Sequence, residues 1–180
     1  HAQHVEYGGY DIYGYSFIPP SPFGLKDWEK YDVSRFVDPG CSHPYQGMRT
    51  VKPDFDPEHD NMKNDLQDLT KEKDLSSAVF LFHSPPYDTS LDRAALDGKM
   101  VDYVPMDVHV GSIAIQRFIN ERQPLLTLHG HIHEASTITG SWSEKMGNTL
   151  ALSASYDSKE HLALVEFDLE NPGNAQRLIL

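Results

Sequence analysis

The chain has 180 residues, 39% of them hydrophobic, a formal net charge of −12 and a single cysteine, Cys41. That apolar content suffices for one domain over residues 1–180, undivided by any internal repeat or low-complexity segment. The acidic balance disfavours nucleic acid and anionic membrane as partners, one cysteine excludes an intrachain disulfide framework, and no stretch has the apolar length of a spanning helix or signal peptide. A reducing, cytoplasmic setting is therefore expected, and an anionic substrate would need metal cations to offset the charge of the protein.

Tyr10 to Phe17 is rich in β-formers and predicts a strand, stopped by Pro19, Pro20 and Pro22. From Phe23 to Pro57, aromatics, glycines and prolines mix without a sustained period, which predicts a long irregular excursion over the surface. Asp56-Pro57-Glu58 then has the form of an N-cap followed by proline at the first helical position. Met62, Leu66 and Leu69 recur at helical spacing behind it, predicting a helix of about four turns. The acidic cluster Asp54, Asp56, Glu58 and Asp60 is read as this helix start rather than as a cation site. Ser77 to Phe82 is a short buried-strand run that ends at His83-Ser84-Pro85-Pro86, where the prolines enforce an extended turn.

Ser112 is a plausible N-cap for a helix carrying Ile113, Ile115, Phe118 and Ile119, with Pro124 as its stop. His109 lies just before that helix start, where free backbone amides could receive a phosphate. His109 and Ser112 are thus the candidate substrate-binding residues.

The next run, Leu125 to Leu128, ends in His129-Gly130-His131-Ile132-His133-Glu134. A buried strand ending in imidazoles delivers them to the carboxyl edge of a sheet, where α/β proteins place their chemistry, and imidazole is the commonest metal ligand. Strand, helix, strand is a parallel crossover by default, so His83 and His131 should be neighbours. His131 and His133 could face one site, or ligate two adjacent ions if the chain bends at Ile132, with Gly130 relieving a sharp turn. His129 reads as a strand residue, and Glu134 could orient a ligating imidazole. Cys41 with His43 could in principle be nucleophile and base, although an inert cysteine is the simpler reading. Beyond Glu134, residues Ala135–Trp142, Thr149–Ser155, Leu162–Asp168 and Ala175–Leu180 predict an antiparallel meander.

Two of these features resemble the calcineurin-like metallophosphoesterases: the strand-end His83 before its prolines, and Gly130-His131-Ile132-His133. More loosely, the stretch from Tyr10 onward is similar to the small prokaryotic phosphoesterases of this group. The resemblance implies an α/β fold, namely the C-terminal portion of a calcineurin-like phosphoesterase β-sandwich flanked by helices. It implies a metal-dependent phosphoesterase, a hydrolase of phosphate monoesters or diesters, with two divalent ions (Mn, Fe or Zn) activating a bridging hydroxide. His83 and His131 would ligate one ion and His133 the other, and the substrate would be a phosphate-ester small molecule or a nucleotide.

The family's early motifs, Asp-x-His, Gly-Asp-x-x-Asp and Gly-Asn-His-Asp/Glu, are read as absent from this sequence. They carry the bridging carboxylate, the asparagine ligand and the acid histidine, which is expected upstream of His1. A partial chain follows as the expectation, with reduced metal occupancy and either its missing N-terminal half or a second copy covering the Ser77–Phe82 and Leu125–Leu128 strands; the alternative is a self-sufficient monomer, if the Tyr10–Phe17 strand closes the gap. The alternative reading is a catalytically silent metal- or partner-binding remnant of the same fold.

Overall fold

The computed structural model describes residues 1–180. The chain opens with a hairpin, β1 (Gln3–Tyr7) and β2 (Tyr10–Tyr15), turned by Gly8 and Gly9 at φ +61° and +84°. Two adjacent positive φ values are what a two-residue turn matching strand twist requires, and glycine adopts them without a Cβ clash. The first strand, unforeseen in sequence, pairs along the outer edge of β2.

After the excursion comes α1 (Met62–Thr70), capped by the Asn61 side chain, which accepts from the amide of Asn64 at 2.9 Å. The helix is therefore shorter than expected and starts later. Asp56 serves a preceding turn instead, accepting from the Glu58 amide and the His59 ring, both at 2.9 Å. Next are β3 (Ala78–Phe82), the small hairpin β4 (Met100–Val101) and β5 (Val104–Pro105), α2 (Ile113–Arg122) and β6 (Leu126–His129). Ala135–Thr139 forms a short helix, α3, and not the strand expected across 135–142. Ser136 and Thr139 side chains bond backbone carbonyls there, and Gly140 ends the turn at φ +74°. In place of the expected antiparallel meander the chain ends in two separate hairpins: β7 (Ser143–Met146) with β8 (Thr149–Ser153), which joins the central sheet parallel to β6, and β9 (Ala163–Glu166) with β10 (Gln176–Ile179), a two-stranded sheet of its own.

The central sheet is mixed and six-stranded, in the order β1-β2-β3-β6-β8-β7, with β2, β3, β6 and β8 parallel and the outer pairs antiparallel. The side chains at alternate positions of β2 and β3, Tyr13, Tyr15, Phe80 and Phe82, pack on Met62 and Leu66 of α1 and on Ile115, Phe118 and Ile119 of α2. Val79, Leu126 and Leu152 point to the other face, against Val165, Phe167 and Leu169 of the β9–β10 region. The second layer of the expected sandwich is thus a two-stranded hairpin.

The expectation that β3 and β6 need a missing half or another copy to cover them is corrected here. Both are interior strands, because β2 pairs directly with β3 and β8 with β6. No helix is long and apolar enough to cross a membrane.

Candidate metal centre and the cavity beside it

The parallel register Phe80 with Thr127 and Leu81 with Leu128 brings the ends of β3 and β6 level. One residue beyond, the Gly130 amide donates to the His83 carbonyl at 3.0 Å. The imidazoles of His83 and His131 consequently meet, with ring centroids 4.9 Å apart and planes at 57°. The strand-end pairing expected from the sequence is present.

His131 sits at φ +72°, and the Ile132 amide donates to the Gly130 carbonyl at 2.9 Å. A three-residue hydrogen-bonded turn with a positive central φ is the rare, strained γ-turn. The strained position is therefore His131 itself, not Gly130, whose added Cβ would meet only ordinary contacts at 3.7 Å to His83. Strain held at one residue costs about 1–3 kcal/mol and persists where the surroundings fix it; here Gly130 is tied to His83, just past the end of β3, and Ile132 is tied to Gly130.

Burial, then the neighbouring His83 and His133, pushes the His131 imidazole down to about 4, against a weaker pull from Glu134. Burial and His133 also lower His83. Both rings are therefore neutral at pH 7, the form that donates a lone pair to a metal. His133 is exposed, near enough to bias both rings electrostatically. No three histidine, cysteine, aspartate or glutamate side chains converge as a ready metal cage, so His83 and His131 are the pair the fold assembles, without a third donor in place.

The helix start at Ser112 does not present free amides. The Asp32 carboxylate occupies it, accepting from the Ser112 hydroxyl at 2.6 Å and from the amides of Ile113 and Ala114 at 2.7 and 3.0 Å. Ser112 is fully buried and caps the helix by accepting from the Ile115 amide at 3.1 Å. A substrate-binding Ser112 is thereby corrected: an internal carboxylate already fills the place a phosphate would take. Burial raises the Asp32 carboxyl, with hydrogen bonds from Ser112, Ala114 and Ile113 opposing.

His109 also has an internal partner. Its Nδ1 lies 2.7 Å from the fully buried Asp92 carboxylate, which also accepts from the amides of Asp88, Thr89 and Gly111, each at 3.0 Å. Gly111 is needed for close approach, since a Cβ there would lie 2.7–2.8 Å from the carbonyls of Pro86 and Pro85 and the Asp92 side chain. Asp107-Val108-His109 spells Asp-x-His, but its side chains turn to different partners, Asp107 to the Tyr87 hydroxyl at 2.7 Å and His109 to Asp92.

His129 is structural, as a strand position predicts. Its ring stacks on Phe82 at 5.5 Å, and Ser84's carbonyl, an acceptor only, fixes the proton on Nδ1 at 2.9 Å. Nε2 then accepts from the Thr127 hydroxyl at 2.8 Å, and burial pushes the ring down to about 4. Cys41 and His43 form no nucleophile pair: His43 bonds the Tyr31 hydroxyl at 2.7 Å, and burial, Asp38 and Glu29 raise the Cys41 thiol. Glu134 accepts from the Ala95 amide at 3.3 Å instead of orienting a ring.

His131 and His109 both line a cavity of about 390 Å³, walled by the excursion on one side and by residues 87–111 on the other. Asp32 and Asp92, which fasten those walls, went unrecognised. For Asp32 the only sequence signal is an acid within an aperiodic loop, which says nothing of a partner helix start 80 residues away; Asp92 bonds nearer partners, Asp88, Thr89, His109 and Gly111, in a stretch without a recognisable motif.

No protein-family model matches this chain. No curated protein matches it in sequence. Among solved structures, a crystal structure of a protein from Aquifex is similar, with a TM-score of 0.55 at 16% identity, over all of this chain and 52% of the other. The chain therefore spans about half the length of that structure, and the likeness shows an α/β fold with a mixed six-stranded sheet.

Proposed function

We propose that this chain is part of a metal-dependent phosphoesterase of the calcineurin-like type, contributing the late half of a two-metal site. The observation that carries the reading is the pair of neutral strand-end imidazoles, His83 and His131, in contact beside a cavity at the carboxyl edge of parallel strands. Divalent ions bound there would supply Lewis-acid stabilisation and an activated hydroxide. The donor chemistry fits Zn or Fe, for which neutral imidazole nitrogens are suitable ligands, and Mn where oxygen donors complete the site. His83 and His131 would hold one ion. His133 would join the second after its loop moves inward from its exposed position.

The chain's own residues do the rest. β3 and β6 fix the separation of the two rings, and the γ-turn at His131 aims one of them toward the other. The missing donors would come from polypeptide outside these residues. Metal retention tests the reading: after loading with manganese or zinc and desalting, the chain should hold the ion weakly, and His83→Ala or His131→Ala should abolish retention by elemental analysis. Unchanged metal content in both variants refutes the assignment.

Catalysis supplies the second test. The early motifs carry the bridging carboxylate and the acid histidine, and general acid–base terms alone are worth about 10²–10⁴-fold. The chain by itself should hydrolyse aryl phosphates very poorly, and full turnover with manganese alone would count against the proposal.

A further inference from the structure

The cavity beside His131 has a composition that selects what it can hold. Val33, Val37, Leu96, Met106, Val110 and Ile132 supply apolar wall, and no lysine or arginine lines it. Its charged lining groups, apart from the helix-bound Asp32, are the carboxylates of Asp38, Asp107 and Glu134. Asp107 accepts from the Tyr87 hydroxyl and from the His109 amide at 2.9 Å, and Glu134 from one amide, while the Asp38 carboxylate takes part in no hydrogen bond or ion pair. Burial and then the Asp107 charge raise the Asp38 carboxyl, and both side chains line the cavity.

This arrangement repels a second anionic group, which excludes polyphosphates and bisphosphates from the cavity. A bare divalent ion does not fit either, because these carboxylates do not converge as ligands and the wall between them is apolar. An organic cation satisfies both features at once, its hydrocarbon body against the wall and its positive end among the carboxylates. We propose that the cavity is a subsite for an apolar organic cation, an ammonium group bearing short alkyl or aryl substituents. As the leaving-group portion of a substrate, this cation rests on the phosphoesterase reading, with the phosphoryl end beside His83 and His131; as a binding property, it stands apart from it.

The test is a titration of the chain with three ligands of similar size, benzyltrimethylammonium, benzyl alcohol and phenylacetate, followed by NMR signals of the His109, His131 and Tyr87 side chains. The cation should bind about tenfold or more tightly than phenylacetate, with benzyl alcohol between them. High salt should shrink the difference, because the carboxylates stand at a solvent-exposed rim. The Asp38→Asn, Asp107→Asn double variant should bring the cation and the alcohol level, its fold checked by circular dichroism. Equal or tighter binding of phenylacetate, binding of none of the three, or shifts confined to residues outside the cavity would overturn the proposal. Unchanged metal content in the His83 and His131 variants would strike the phosphoesterase reading and leave this result intact.

Discussion

Replacing His131 by alanine and, in a second variant, by glycine isolates the strain of the γ-turn from the loss of the imidazole. Both substitutions delete the ring and its contact with His83, so those terms cancel between them. What remains is the backbone. At φ +72° an L-residue with a Cβ is disfavoured by about 1–2 kcal/mol, whereas glycine adopts the conformation freely. Glycine gives back about 0.4–1 kcal/mol through the larger conformational freedom of its unfolded chain. The glycine variant should therefore be the more stable by roughly 0.5–1 kcal/mol, or about 1–4 °C in Tm for a domain of this length. Thermal and urea unfolding at pH 7.5, where the imidazoles are neutral in both states, would measure it. Equal stabilities, or a more stable alanine variant, would show that the turn relaxes when the ring is removed and that no strain is held there.

Acid should destabilise the fold ahead of general carboxylate protonation. His129 and His131 are pushed down to about 4, below an ordinary value near 6.5, so above that value neither state is protonated. As pH falls from about 6.5 to 4, the unfolded chain takes up protons that the folded one refuses, and stability drops. The fully buried His129 alone accounts for about 3 kcal/mol at the lower limit. A His129→Phe variant should flatten the slope in that window, and an unchanged slope in urea titrations would contradict the assignment. Asp32→Ala strands the Ser112 hydroxyl and two helix-start amides, with an expected cost of about 2–3 kcal/mol; a loss within about 0.5 kcal/mol would show that water replaces the carboxylate. Gly111→Ala should destabilise by more than an ordinary loop change, because its Cβ meets carbonyl oxygens and a side-chain carbon that cannot withdraw; chemical denaturation would detect it.

The parallel core was readable because its strands announce themselves. Ala78–Phe82 and Leu126–His129 are short apolar runs closed by histidine, proline or glycine, and the helix between them carries a serine cap and a stop. The meeting of His83 and His131 followed from that order alone. The hairpin strand β1 was missed since its residues are all exposed and lack alternation, only the paired glycines hinting at the turn. Ala135–Thr139 misled because isoleucine and threonines favour strands, while a single helical turn is decided by local hydrogen bonds. Asp32 was illegible for a different reason: it organises a helix start brought to it by distant folding, and its sequence neighbours carry no record of that partner.

The Asp32 clasp also offers a gauge of how the cavity wall moves. The amides of Ile113 and Ala114 belong to a helix start yet are protected by a side chain from the excursion, 81 and 82 residues away in sequence. When the excursion lifts, those two protons are released to solvent, with the Met62 and Lys63 amides that bond the Tyr31 and Asp32 carbonyls, while the remainder of α2 keeps its backbone bonds. Hydrogen exchange at Ile113 and Ala114, compared with that of Ile119, would thus measure the free energy of opening the cavity without unfolding the sheet. Any occupant gripping both walls would slow the first two and leave the third unchanged.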